Sequence, residues 1–173
     1  EHFRYYRLAN AEAITLSGQV SIRWIENRMN EYLNKLLSTE KEDYVIASDT
    51  DSIYLNLGPL VSKFFANKSS DKTAVVSILD KICQEKLEPF IERSYEELAS
   101  YVSAYDQKMS MKRENIADRG IWTAKKRYIL NVWDSEGVRY KEPKMKIMGL
   151  ETARSSTPAY FRDKLYAAFQ III

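Results

Sequence analysis

Two runs rich in β-branched and aromatic residues, Tyr44-Val45-Ile46-Ala47-Ser48 and Ile53-Tyr54-Leu55-Asn56-Leu57, flank the acidic connection Asp49-Thr50-Asp51-Ser52. Runs of this composition joined by a tight polar link predict a β-hairpin, here with carboxylates at its tip. In a regular strand the two Asp side chains would share a face, and at a turn they can still converge. Convergent carboxylates repel one another unless a cation neutralises them, and a hard cation such as Mg²⁺ is the natural occupant. A solvated turn without a ligand is the alternative reading of the same residues.

Other acidic-motif chemistries fail on residues outside the pair. An EF-hand loop starting at Asp49 needs Gly at its sixth position and Glu at its twelfth, where Tyr54 and Leu60 stand. A phosphohydrolase with an Asp nucleophile would use a later Gly-Asp pair, and no Gly in the chain precedes Asp. No Gly-rich phosphate loop ending in Lys and Ser/Thr is present. The single cysteine, Cys83, excludes an internal disulfide framework, and with His2 as the one histidine no zinc site of ordinary ligands can form. Cytosolic chemistry is the default. No apolar run approaches the ~20 residues of a membrane span, and no basic-then-apolar leader opens the chain.

Around the hairpin the periodicity is largely helical. Phe3-Arg4-Tyr5-Tyr6 is aromatic and basic, and a long helix is expected from about Asn10 with Ile22, Ile25, Met29, Tyr32, Leu33 and Leu36 on its core face. Gly58-Pro59 should end the outgoing strand, with a short helix from Leu60 to Ala66. Beyond the loop Asn67 to Asp71, in which Ser70 or Asp71 can serve as a helix N-cap, Val75, Ile78, Leu79, Ile82, Leu87, Phe90, Ile91, Leu98 and Val102 predict about thirty helical residues, kinked or split at Pro89. From Gln107 the pattern turns to strands: Lys108 to Lys112, Trp122 to Trp133 and Val138 to Met148. Asp134-Ser135-Glu136-Gly137 makes the last two a second hairpin, with Gly137 at positive φ. Ser155-Ser156-Thr157-Pro158 signals a final helix. The expected fold is α+β: an antiparallel sheet with an acidic hairpin, backed by two long helices, plus a second hairpin and a C-terminal helix. The 173 residues, 45% hydrophobic, suffice for a sizeable core.

The net charge of +2 hides an asymmetry. Residues 108–146 hold eleven Lys/Arg against five Asp/Glu, hence +6 there and −4 over the remainder. Such a basic stretch points to an anionic partner, with a solvated sheet face as the plain alternative.

Three stretches together carry a family resemblance. Tyr44 to Leu55 resembles motif C of the family B DNA polymerases, the Asp-Thr-Asp-Ser hairpin of the palm. Trp122-Thr123-Ala124-Lys125-Lys126-Arg127-Tyr128 resembles the motif with which that family holds primer-template duplex. Lys144-Met145-Lys146-Ile147-Met148-Gly149-Leu150-Glu151-Thr152 with Ser155 to Pro158 is similar to the palm-to-thumb transition of the replicative polymerases of large tailed phages.

The resemblance implies nucleotidyl transfer from a dNTP to a primer 3′-hydroxyl at a two-Mg²⁺ site. Asp51 is the implied direct metal ligand, Asp49 the second carboxylate, whose family counterpart is often turned away from the metals, and Glu114 an auxiliary carboxylate. Thr50 and Ser52 support the motif. Lys125, Lys126, Arg127 and Tyr128 are the implied DNA contacts, with Lys144 and Lys146 as further phosphate neighbours. Read as one strand, Lys126 and Tyr128 would share one face and Lys125 and Arg127 the other. It also implies a division into the C-terminal part of a palm over 1–148 and the beginning of a thumb over 149–173. Ala47-Ser48 departs from the family's Tyr-Gly before the acidic pair. Motifs A and B are not found, and the chain opens at Glu1-His2-Phe3 and closes on an apolar run. The expectation is therefore a polymerase piece, inactive alone, completed by the remainder of the polymerase in cis or as a separate chain, located in the host cytoplasm if phage-encoded. A noncatalytic DNA-binding or scaffolding derivative of a palm is the alternative.

Overall fold

The computed structural model describes residues 7–65 and 71–173. The aromatic-basic segment 3–6 and the loop residues 67–70 lie outside the described residues. The chain is α+β, as expected, and its elements divide into two compact units. The first comprises Glu1–Ser70 and Gln84–Lys112, the second Asp71–Cys83 and Arg113–Ile173.

In the first unit, α1 (Leu8–Leu37) carries a buried stripe at a spacing of four: Ser21, Ile25, Met29, Leu33 and Leu37. Ile25, Met29 and Leu33 have no exposed surface. The stripe closes on Leu37 rather than on Leu36, which is 41% exposed, because the i, i+4 row runs past it. Ser38, at φ 59, ends the helix in the left-handed conformation. The hairpin β1 (Val45–Asp49) and β2 (Ser52–Leu55) comes next, then α2 (Gly58–Phe65). Gly58-Pro59 thus opens a helix instead of closing the strand, since Pro is tolerated in a first helical turn, where its missing N–H has no partner to lose. The unit's other long helix, α4 (Glu88–Tyr101), packs on α1. Trp24 Nε1 donates to the Ser94 carbonyl at 2.8 Å, Arg28 pairs with Glu97, and the Tyr32 and Phe90 rings stack at 4.4 Å.

The expected thirty-residue helix is split. It runs as α3 (Lys72–Ile82), a π-helical turn Cys83–Leu87, and α4 with Pro89 in its first turn. Pro89 cannot donate to the carbonyl four residues before it, and its ring crowds that carbonyl; the wider π turn immediately upstream accommodates both. Asp71 caps α3 by accepting from the Thr73 N–H at 3.2 Å. Cys83 is buried.

In the second unit, β3 (Asn115–Ala124), β4 (Arg127–Ser135) and β5 (Val138–Met148) form an antiparallel sheet in that order. The predicted β4–β5 turn is present, with Glu136 and Gly137 at φ 51 and 88 between paired Ser135 and Val138. Two strand expectations are corrected. Trp122 to Trp133 is two strands, not one, folded at Lys125-Lys126. Residues 108–112 form no strand: the Gln107 side chain accepts from the Met109 N–H at 2.5 Å and donates to its carbonyl at 2.8 Å, occupying groups a ladder would use. A 3₁₀ turn, Glu151–Ala153, leads to α5 (Ala159–Ile172), with Pro158 as its N-cap.

Candidate functional site

The acidic tip lies in the first unit. Asp49 pairs with Ser52, which leaves Thr50 and Asp51 as a two-residue connection. Thr50 sits at φ 51, a left-handed conformation that a β-branched residue rarely adopts. Three contacts hold it: the Asp51 N–H donates to the Asp49 carbonyl at 2.6 Å, Thr50 Oγ1 to Asp49 Oδ1 at 3.0 Å, and Ser52 Oγ to the Asp49 carbonyl at 3.2 Å. The result exposes Asp51 and half-buries Asp49.

The hairpin is anchored by a residue with no motif signature. Asn30 of α1 accepts from the backbone N–H groups of Tyr44 (2.8 Å) and Val45 (3.1 Å), and its Nδ2 donates to Asp43 Oδ1 at 2.8 Å. That fixes where β1 begins. Ala47 and Ser48 line a polar cleft with Glu26, Asn30 and Asp43. On α4, burial, and then the Asp51 charge, raise the Tyr95 phenol above the ordinary value. Neither Asn30 nor Tyr95 stands out in the sequence, since each occupies an unremarkable helical position.

The basic residues lie in the second unit. Ala124 pairs with Arg127, so Lys125 and Lys126 form a two-residue turn, Lys126 at φ 60. The expected strand alternation across residues 125–128 therefore fails, because only Arg127 and Tyr128 are in a strand. Lys125, Lys126 and Arg127 are exposed, whereas Tyr128 is buried with its ring 6.2 Å from that of Trp122. Lys144 lies 4.3 Å from the centroid of Tyr140, over its ring. The β5 residues 140–143 bulge opposite Trp133, and Pro143, which has no N–H for the ladder, falls within the bulge.

Glu114 and Lys146 meet: Nζ to Oε1 is 2.5 Å. This hydrogen bond lowers the Glu114 pKa, against a smaller opposing effect of burial. Beside Glu114, Arg113 enters a cluster with Asp134, Asp80 and Arg139. Asp134 has no exposed surface; its Oδ1 accepts from Arg113 and from the Gly137 N–H at 3.0 Å, while Oδ2 has Arg139 Nε at 3.3 Å without a well-directed hydrogen bond. Burial disfavours the Arg113 charge, but the carboxylates of Asp134 and Asp80 outweigh it and raise its pKa.

The structure thus joins Asp49 to Asp51 on one hairpin and Glu114 to Lys146 by an ion pair, and it puts Lys125 and Lys126 on one turn. Among the described residues, no three His, Cys, Asp or Glu side chains gather as a metal-ligand set. The acidic pair offers hard oxygen donors, the ligand type that a hard divalent cation takes. No helix among the described residues is long and apolar enough to cross a membrane.

The chain is 49% identical over 164 residues to a DNA-directed DNA polymerase of Escherichia phage RB69, covering 90% of the chain and 18% of that protein. It is 41% identical over 180 aligned residues to a DNA-directed DNA polymerase of Enterobacteria phage T4, covering 99% of the chain and 20% of the relative. The chain therefore spans about a fifth of the length of these curated relatives. No family model matches it.

Proposed function

We propose, from its 49% and 41% identity to the two phage DNA-directed DNA polymerases, that the chain is a segment of a family B DNA polymerase of the tailed-phage type and supplies the motif C carboxylates and part of the primer-template grip. The carrying observation is the presentation of Asp49 and Asp51 at a strained two-residue hairpin tip, in a sequence half identical to a polymerase. Residues 1–148 would then be the C-terminal part of the palm and 149–173 the beginning of the thumb.

In the proposed reaction the primer 3′ oxygen bonds to the α-phosphorus of a dNTP while the bond to the departing pyrophosphate breaks. Divalent cations held by the acidic tip, Mg²⁺ in this reading, would supply stabilisation of the charge that develops on oxygen. Asp51, exposed at the tip, is the assigned ligand, with Asp49 behind it. Thr50 and Ser52 hold Asp49 through their hydroxyl hydrogen bonds to it. Lys125, Lys126 and Arg127 contact backbone phosphates without reading bases, as sequence-independent synthesis requires. Tyr128, being buried, sets the strand beneath them. Lys144 and Lys146 are additional phosphate neighbours, Lys146 by exchanging Glu114 for a phosphate, and Glu114 is the auxiliary carboxylate of this reading.

The partners are primer-template DNA, dNTP and the remainder of a polymerase, with the host cytoplasm as the setting of a phage-encoded enzyme. The 173-residue chain alone is expected not to incorporate dNTP on a primed template. In a polymerase completed with the other active-site segments, Asp51→Ala should abolish nucleotide transfer and leave duplex binding intact. Transfer that persists in Asp51→Ala removes the catalytic assignment. The second reading, a noncatalytic DNA-binding derivative, is favoured by Ala47-Ser48 standing where the family has Tyr-Gly. It predicts no transfer from the completed polymerase even with Asp51 intact.

A further inference from the structure

Gly149 succeeds β5 at φ 67. A Cβ built there would collide with the Lys126 carbonyl oxygen and fall 3.2 Å from Arg127 Cγ. The first contact is with backbone, which cannot swing aside as a side-chain end can. Two left-handed positions, Gly149 and Lys126 at φ 60, are thus packed backbone to backbone, the second of them in the exposed turn that carries Lys125 and Lys126. The adjoining pair Tyr128 and Met148 brings the end of β5 to this turn. Lys125-Lys126 contains no residue suited to a left-handed turn, so its conformation is imposed by its surroundings rather than by its own preference.

We propose that Gly149 is a positioning residue for the duplex grip: the absence of a side chain lets the end of β5 close on the Lys126 carbonyl and sets the turn from which Lys125 and Lys126 reach phosphates. The inference rests on the reading of that turn as a DNA contact.

Gly137 provides a matched control. It also sits at positive φ, 88, but a Cβ there meets nothing within 4 Å. Alanine at either position carries left-handed strain; only at 149 does it collide with the turn. The test measures binding of the full 173-residue chain to a primer-template duplex of arbitrary sequence across a salt series. Gly149→Ala should weaken binding on the order of tenfold at low salt and flatten the slope of log K against log salt by about one to two phosphate contacts, each contributing about 0.9. Gly137→Ala should change neither. A folded fraction that stays constant across the salt series, as circular dichroism of each variant would establish, scales K uniformly and leaves the slope unmoved. Adding Gly149→Ala to a Lys125→Ala/Lys126→Ala variant should cause little further loss. Normal binding by the double-lysine variant defeats the DNA-contact reading itself. If that variant is weakened while Gly149→Ala keeps the parental slope, or if Gly137→Ala flattens it equally, the role of Gly149 is overturned and the DNA-contact reading stands.

Discussion

Asp134 has no solvent-exposed surface, yet it is a carboxylate facing two guanidinium groups. Removing one partner of a buried ionic cluster leaves the other uncompensated, which typically costs about 3–5 kcal/mol. Asp134→Ala strands Arg113, whose side chain is 10% exposed, and Asp80 only partly compensates it. The expected loss is therefore about 3 kcal/mol, at the lower end of that range, read as a fall in the urea midpoint at unchanged m-value. At this scale some of the molecule is legible in the sequence. Gly137 announces its turn because the pattern Asp-Ser-Glu-Gly sits between two strand-like runs. Gly149 does not, since its reason is the approach of a carbonyl 23 positions away in the chain, at Lys126, and no local pattern encodes that. Asp134 reads in sequence as turn chemistry, and nothing local marks it as the anchor of a charged cluster.

Elements show the same division between local and distant causes. The acidic hairpin, the stripe of α1 and the β4–β5 pair are dictated by periodicity and turn residues. The β3–β4 turn was hidden because Lys125-Lys126 lacks Gly, Asn, Asp or Pro, and Trp122 to Trp133 therefore reads as one strand. The polar part of the docking of α3 on the three-stranded sheet is likewise illegible, being made of single contacts. Lys72 Nζ donates to Asp118 Oδ2 at 2.7 Å, Asn131 Nδ2 to Asp118 Oδ1 at 2.8 Å, and Arg139 reaches Ser77 and Asp80. Burial pushes the Asp118 pKa up, but the hydrogen bonds from Lys72 and Asn131 outweigh it and the net shift is downward. A carboxyl whose folded pKa is depressed stabilises the fold above its ordinary value, here 3.8, and loses that contribution as pH falls through the folded value. Denaturation midpoints of the parent should drop between about pH 5 and pH 2. Asp118→Asn should start lower at neutral pH and fall less steeply with acid, because one linked carboxyl is gone.

For the molecule as a whole, the uneven charge finds its place in the second unit. The exposed Lys125, Lys126 and Arg127 belong to the +6 stretch read from the sequence. Lys126→Ala with Arg127→Ala should weaken binding to all duplex sequences alike and reduce the salt slope by about two contacts, as filter-binding or anisotropy titrations on unrelated duplexes would register. Loss confined to particular sequences would contradict a backbone grip. The two-unit arrangement itself was not legible, because the helical periodicity from Val75 to Val102 gives no sign that α3 and α4 serve different units. The chain passes from one unit to the other three times, after Ser70, Cys83 and Lys112. That threading has a consequence for dissection. No single cut yields both units whole: a piece ending at Lys112 holds the first unit but also carries α3 without its sheet, and the piece starting at Arg113 has the sheet without α3, leaving Arg113 and Arg139 without Asp80. Bisecting the gene at an apparent boundary would thus leave at least one unit incomplete, whereas a co-expressed pair overlapping across residues 71–112 would carry both units whole.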